Sequence, residues 1–257
     1  EGSLLIEDFR TSSGIQFHNG RLYIDANSKE NGKDGFLLEE LDLNDGLACG
    51  HWLKASECNR NWMKPAFLFG GFFFSRTEGD PKYVQLFMDT IVSIGENAVE
   101  PFIYVKTKDW ITASEIEKVN EKGMRNFFQN LGQAGKTYGI HDYAECGDNI
   151  FFSLFRNGNF MNAVNITYNT NTKEAHLYEH LMDDILFSDI REVSGIMFAA
   201  DANGIYFVIS SFVIGSFGEY AVPNIKSVIK NNYKGLSDLN GDSNPLIIYY
   251  ECIPRDK

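Results

Sequence analysis

The sequence is short of basic residues. Lys and Arg number 23 against 35 Asp and Glu, which leaves a formal charge of −12 over 257 residues. Binding to phosphate polyanions is driven by cationic side chains that release counterions, so no nucleic-acid partner is expected, and an anionic membrane surface is disfavoured on the same ground. The densest basic groups, Lys106 with Lys108 and Lys226 with Lys230, do not offset that average. Long apolar runs are missing too. Pro65 to Phe74 and Ile205 to Gly215 are the most apolar stretches, and both fall short of the roughly 18 to 20 residues that a membrane-spanning helix needs. No transmembrane segment is therefore predicted. The start, at Glu1 rather than Met, carries no basic segment followed by an apolar core. The chain reads as soluble, with secreted and cytoplasmic locations both open.

Cysteine is scarce. The four present, Cys49, Cys58, Cys146 and Cys252, form no C-x-x-C pair, so a zinc ribbon or a thioredoxin-type site has no support. Cys49 and Cys58 lie close together, and a disulfide between them would stabilise the fold by about 2 to 3 kcal/mol through loop entropy. The alternatives are four buried thiols, or a metal site joining Cys49, His51, Cys58 and a distant thiol. Phosphate-cradling glycine patterns and the G-x-S-x-G nucleophile elbow are absent, which leaves nucleotide-dependent and α/β-hydrolase chemistry without support. There is no internal repeat and no low-complexity tract.

Aromatic residues, in contrast, are plentiful. They make up 14% of the chain, with 21 Phe, inside an ordinary hydrophobic fraction of 44%. That composition suits a packed globular chain rich in half-buried pleated surface. Turn chemistry marks hairpins. Asn19-Gly20 stands between Ile15 and Ile24, Asn157-Gly158 between Ile150 and Tyr168, and Asp201 to Gly204 between Gly195 and Ile214. Leu246 to Cys252 reads as a central strand.

Helical spacing is present as well. Asp80-Pro81 resembles an N-terminal cap, followed by Val84, Phe87, Met88, Ile91 and Val92. Thr112 with Glu115 forms a capping box ahead of Ile116, Val119, Phe127 and Leu131. Pro223 opens a third stripe through Ile225, Val228, Ile229 and Tyr233. The predicted fold class is α+β, a mainly antiparallel sheet built from hairpins with three to four interspersed helices. Residues 1–257 are read as one domain, with any lobe junction at Arg76 to Gly79.

Several groups carry candidate chemistry. His176-Leu177-Tyr178-Glu179-His180 has the spacing H-x-x-E-H. In those five residues it resembles the inverzincin metallopeptidases, and the resemblance implies a zinc ion held by His176 and His180 with Glu179 as general base. A third, distant acidic ligand is not evident, since Glu251 sits in a predicted strand. The competing readings are a solvated helix face and a strand paired back onto Ala163 to Tyr168.

Asp238, Asn240, Asp242 and Asn244 place oxygen ligands at alternate positions, as in a calcium loop, although Ser243 replaces the usual Gly and Tyr249 the closing Glu. Trp52, Trp62 and Trp110 fall in predicted loops or element ends, where exposed indoles would stack on a sugar or anchor a protein partner. Glu39-Glu40 and Asp183-Asp184 are adjacent carboxylates, Asn165-Ile166-Thr167 is a glycosylation sequon, and His141 precedes Cys146 closely enough to be weighed as a nucleophile pair. No one of these completes a catalytic constellation. The leading reading is an acidic, soluble binding protein whose partner is a basic protein. A zinc-dependent hydrolase and an extracellular, calcium-supported carbohydrate binder are the alternatives.

Overall fold

The computed structural model describes residues 14–25, 36–44, 47–54, 72–74, 79–112, 114–115, 130, 134–156, 163–178, 182–183, 191–192, 196–209, 242 and 244–251. The first sheet consists of β1 (Ile15–His18), β2 (Arg21–Asp25), β3 (Phe36–Leu41) and β4 (Ala48–Lys54) in that order. Asn19 and Gly20 make the predicted two-residue turn, with φ of 48° and 77°. Positive φ at both positions is what a type I′ turn requires, and Asn and Gly are the residues that tolerate it.

The second sheet is β5 (Phe72–Phe74), β6 (Lys82–Val84), β7 (Thr90–Ile94) and β8 (Val99–Tyr104). The third is β9 (Thr137–Cys146), β10 (Asn149–Arg156), β11 (Ala163–Asn169) and β12 (Ala175–Tyr178). A short pair, β13 (Met182–Asp183) and β14 (Arg191–Glu192), precedes a three-stranded sheet of β15 (Ile196–Ala200), β16 (Gly204–Ile209) and β17 (Leu246–Glu251). Each four-stranded sheet keeps its strands in sequence order, the up-and-down meander also used for single propeller blades.

The predicted α+β class is therefore corrected. The described part is nearly all antiparallel sheet, and no helix is an element among the described residues. The segment read as a first helix forms β6 and β7 with a turn between them. Val84, Phe87, Met88, Ile91 and Val92 do recur at helical spacing, but Thr90 to Ile94 is dominated by β-branched residues, which favour strands. Burial on both faces also gives a near-continuous apolar run that matches either period. The chain reverses at Phe87, whose φ is 74°. The Pro81 carbonyl accepts the Ile94 amide at 2.9 Å, so it serves the sheet and not a helix.

Half of the Thr112–Glu115 box is formed: the Glu115 carboxylate accepts the Thr112 N–H and hydroxyl, each at 2.8 Å, while the Glu115 N–H donates to the Thr112 carbonyl at 3.0 Å. The rest of that predicted helix lies largely outside the described residues, and Pro223 to Gly235 wholly so. Trp52, expected in a loop or at an element end, lies within strand β4. Among the described residues β17 is not central: it ends the order of its sheet, and its residues alternate between half-buried and exposed.

By internal contacts the chain divides into two compact units, Glu1–His141 with Ser153–Ala163, and Asp142–Phe152 with Val164–Lys257, so that β9 and β10 contribute to both. Of the expected junction at Arg76 to Gly79, only Gly79 is among the described residues. In the first unit, Leu38, Tyr83, Ile91, Ile94, Tyr138 and Ile140 are buried. The Tyr83 hydroxyl donates to Asp25 Oδ1 at 2.6 Å, and the same oxygen lies 3.1 Å from the Leu37 carbonyl. This ties the first sheet to the second with a satisfied buried polar pair. In the second unit, Ala144, Cys146, Ile205 and Phe207 form a core that Phe151, Met197, Ala200 and Tyr250 close.

Candidate functional site

The three-stranded sheet of the second unit has two unlike faces. Residues directly opposite one another in an antiparallel pair share a face. Ile205 opposite Tyr250 and Phe207 opposite Ile248 therefore point inward, where Ile205 and Phe207 are buried. Tyr206 opposite Tyr249, Val208 opposite Ile247 and Gly204 opposite Glu251 then make the outer face. On it Ile247 is 60% exposed and Tyr249 41% exposed.

The turn beside this face converges on one carboxylate. Asp201 Oδ1 accepts the backbone N–H of Asn203 at 2.8 Å and of Gly204 at 2.9 Å. Its Oδ2 accepts the Tyr206 hydroxyl at 2.8 Å, and the Tyr249 hydroxyl reaches Oδ1 at 3.4 Å. The Tyr206 and Tyr249 rings lie 4.7 Å apart, tilted by 43°. Gly204 makes room for this packing: a Cβ on it would fall 2.3 to 2.5 Å from the Tyr249 ring and hydroxyl, so the ring lies directly across its backbone. The Asn203 amide, the Tyr206 hydroxyl and the Gly204 amide hold the Asp201 carboxyl below its ordinary range. Partial burial and the neighbouring Asp201 carboxylate push the Tyr249 hydroxyl up to about 12.

A second polar cluster sits on the first sheet around Glu40, which is buried. Arg21 Nη1 donates to Glu40 Oε1 at 2.6 Å, and Trp52 Nε1 donates to Oε2 at 3.1 Å. The Cys49 thiol is 3.5 Å from both the carboxylate and the carbonyl of Glu40. Burial, with the Glu40 hydrogen bond and charge, pushes that thiol's pKa up, the opposite of what a thiolate nucleophile needs. Gly50 makes room for the cluster, because a Cβ there would lie 2.8 Å from Glu40 Oε2.

The sequence candidates are dispersed. Trp52 is held by Glu40, and the half-buried Trp110 donates its indole N–H to the Phe87 carbonyl at 3.2 Å. Cys49 carries a free thiol. His176 stands in the exposed strand β12 opposite Thr167, which is the strand reading of that segment. Asp242 is exposed. Trp62, Cys58, Glu179, His180, Asp238 and Asn240 lie outside the described residues. Glu39 faces His51 across β3 and β4, Asp183 faces Arg191, and Asn165 faces Tyr178. His141 and Cys146 are both buried in β9. Among the described residues, no group of three or more His, Cys, Asp or Glu is placed to hold a metal ion.

Sequence reasoning missed the convergence of Asp201, Tyr206 and Tyr249. The Asp-Ala-Asn-Gly turn and the alternation in Gly204–Ile209 and Leu246–Glu251 were its signals. Chemically, a carboxylate saturated with donors is a poor general base, and tyrosines with raised pKa are poor acids. The arrangement suits non-covalent recognition.

No family model matches the chain, and no curated protein is similar to it. Among solved structures, a protein from Bacteroides fragilis described as exported is similar in fold. Its TM-score is 0.61 at 12% identity, and the match covers 95% of this chain and 66% of that one.

Proposed function

We propose that the chain is a non-catalytic interaction protein whose acidic surface takes a basic protein partner. One observation supports this above the rest: large apolar side chains are exposed on strands that, among the described residues, end their sheets. Phe17 on β1, Tyr104 on β8, Leu177 on β12 and Ile247 on β17 are each 59% exposed or more. Exposed apolar residues on end strands are the features that strand-to-strand and sheet-face recognition use. With a formal charge of −12 around them, the complementary partner is cationic.

The test is a calorimetric titration with matched cationic, neutral and anionic peptides at low and physiological salt. The proposal expects the cationic peptide alone to bind, with affinity that falls as salt screens the interaction. Absence of cationic binding at low salt, or equal binding of the anionic peptide, overturns it.

A further inference from the structure

We propose that the outer face of β16 and β17 seats an arginine side chain of the basic partner, with its guanidinium on the Tyr249 ring between the Asp201 and Glu251 carboxylates. This rests on the interaction reading above and names the surface and the chemical group it takes.

Three features converge on Gly204. Glu251 is its cross-strand partner, the Tyr249 ring lies across it, and its own N–H donates to Asp201. Aromatic ring and carboxylates are thereby brought together by pairing register and by the missing Cβ. The Tyr249 ring is pre-positioned: it stacks on backbone, meets Tyr206 at 4.7 Å and points its hydroxyl towards Asp201. Little side-chain freedom remains to be lost when a ligand settles on it.

Charge complementarity selects the occupant. Residues 196–209 and 244–251 contain Asp201 and Glu251 but no Lys and no Arg, so the strands that build this face bring no cation of their own. A cation over an aromatic face gains from the ring quadrupole. Guanidinium, being planar, stacks on the ring while its N–H groups reach the Glu251 carboxylate and its charge lies in the field of Asp201, whose oxygens are already hydrogen-bonded; a compact ammonium does this less well. Ile247, on the same face, offers an apolar step for the methylene stem.

The experiment titrates short poly-arginine, poly-lysine and poly-glutamine peptides into the full chain and into Tyr249→Ala, Tyr249→Phe, Glu251→Gln and, as a distant control, Tyr104→Ala. Poly-arginine is expected to bind more tightly than poly-lysine, and poly-glutamine not to bind. Tyr249→Ala is expected to weaken poly-arginine about fivefold, the size of an exposed cation–π contact. Tyr249→Phe keeps the ring and stays near wild type, and Glu251→Gln weakens binding and its dependence on salt. Tyr249→Phe and Glu251→Gln are conservative surface changes, so the result does not depend on Tyr249→Ala folding.

If poly-arginine binds the wild type but Glu251→Gln and Tyr249→Ala leave it unchanged, or Tyr104→Ala weakens it equally, the seat on β16 and β17 is overturned while the basic-partner reading stands. If poly-arginine does not bind the wild type at low salt, both fall.

Discussion

Gly139 in β9 offers the sharpest test of the packing. A Cβ added there would lie 2.8 Å from Leu86 Cδ1 and 3.1 Å from Phe155 Cδ2, well inside the roughly 3.5 to 4.0 Å at which carbon atoms attract. Neither neighbour has room to retreat. Leu86 is 3% exposed. The Phe155 ring is stacked against His141 at 3.9 Å and 12°, and against Tyr138 at 5.7 Å and 14°. Overpacking of this kind costs about 1 to 3 kcal/mol. Replacing a strand glycine returns about 0.5 to 1 kcal/mol of backbone entropy. Gly139→Ala should therefore lose about 1 kcal/mol, within limits of roughly 0 to 2.5, in urea unfolding, or about 2 to 4 °C in melting temperature. Leu86→Val removes the clashing methyl, so the double variant should lose less than the sum of the two single losses. A Gly139→Ala protein more stable than wild type would refute the reasoning, and strict additivity would show that Leu86 is not the obstacle.

Three further outcomes are expected. Glu40→Ala strips the Trp52 indole and Arg21 of their shared acceptor and should cost about 1 to 3 kcal/mol. Glu40→Gln, whose amide oxygen still accepts the indole N–H, should cost less, and chemical unfolding of both variants compares them. Asp201 has a folded pKa below its ordinary value, so its contribution is in place above about pH 4 and is lost as the pH falls through the folded value. Melting temperatures followed from pH 5 downwards should fall less steeply for Asp201→Asn than for wild type. Burial raises Tyr138 to about 12, so its contribution is intact below about pH 10 and is lost as the pH rises towards the folded value. Phenolate absorbance from Tyr138, isolated by comparison with Tyr138→Phe, should therefore appear near pH 12 and not near pH 10 while the chain stays folded.

Local chemistry and hairpin pairing were readable, and pairing between strands distant in sequence was not. Asn19-Gly20 and Asp201 to Gly204 each specify a turn because φ demands and side-chain acceptors act within a few residues. The helix expected from Asp80 onward failed because hydrophobic spacing over Val84 to Val92 fits two periods, and tertiary pairing of Thr90–Ile94 with Val99–Tyr104 decided between them. Trp52 and Trp110 were expected to stand exposed in loops or at element ends, yet both are half-buried and donate their indole N–H groups to Glu40 and the Phe87 carbonyl, acceptors remote in sequence. The tyrosine–carboxylate face depends on the register of Gly204–Ile209 against Leu246–Glu251. A one-residue slip would send Tyr249 to the other side of the sheet, and no feature of either segment alone announces the match.

Whether a basic partner docks on this acidic β-rich chain is decided most directly by backbone hydrogen exchange of the full chain with and without saturating poly-arginine at low salt. Slowed exchange concentrated in β16 and β17, lost when poly-glutamine replaces poly-arginine, is the expected result. Unchanged exchange in both strands with the cationic peptide bound elsewhere, or no change anywhere, would contradict it.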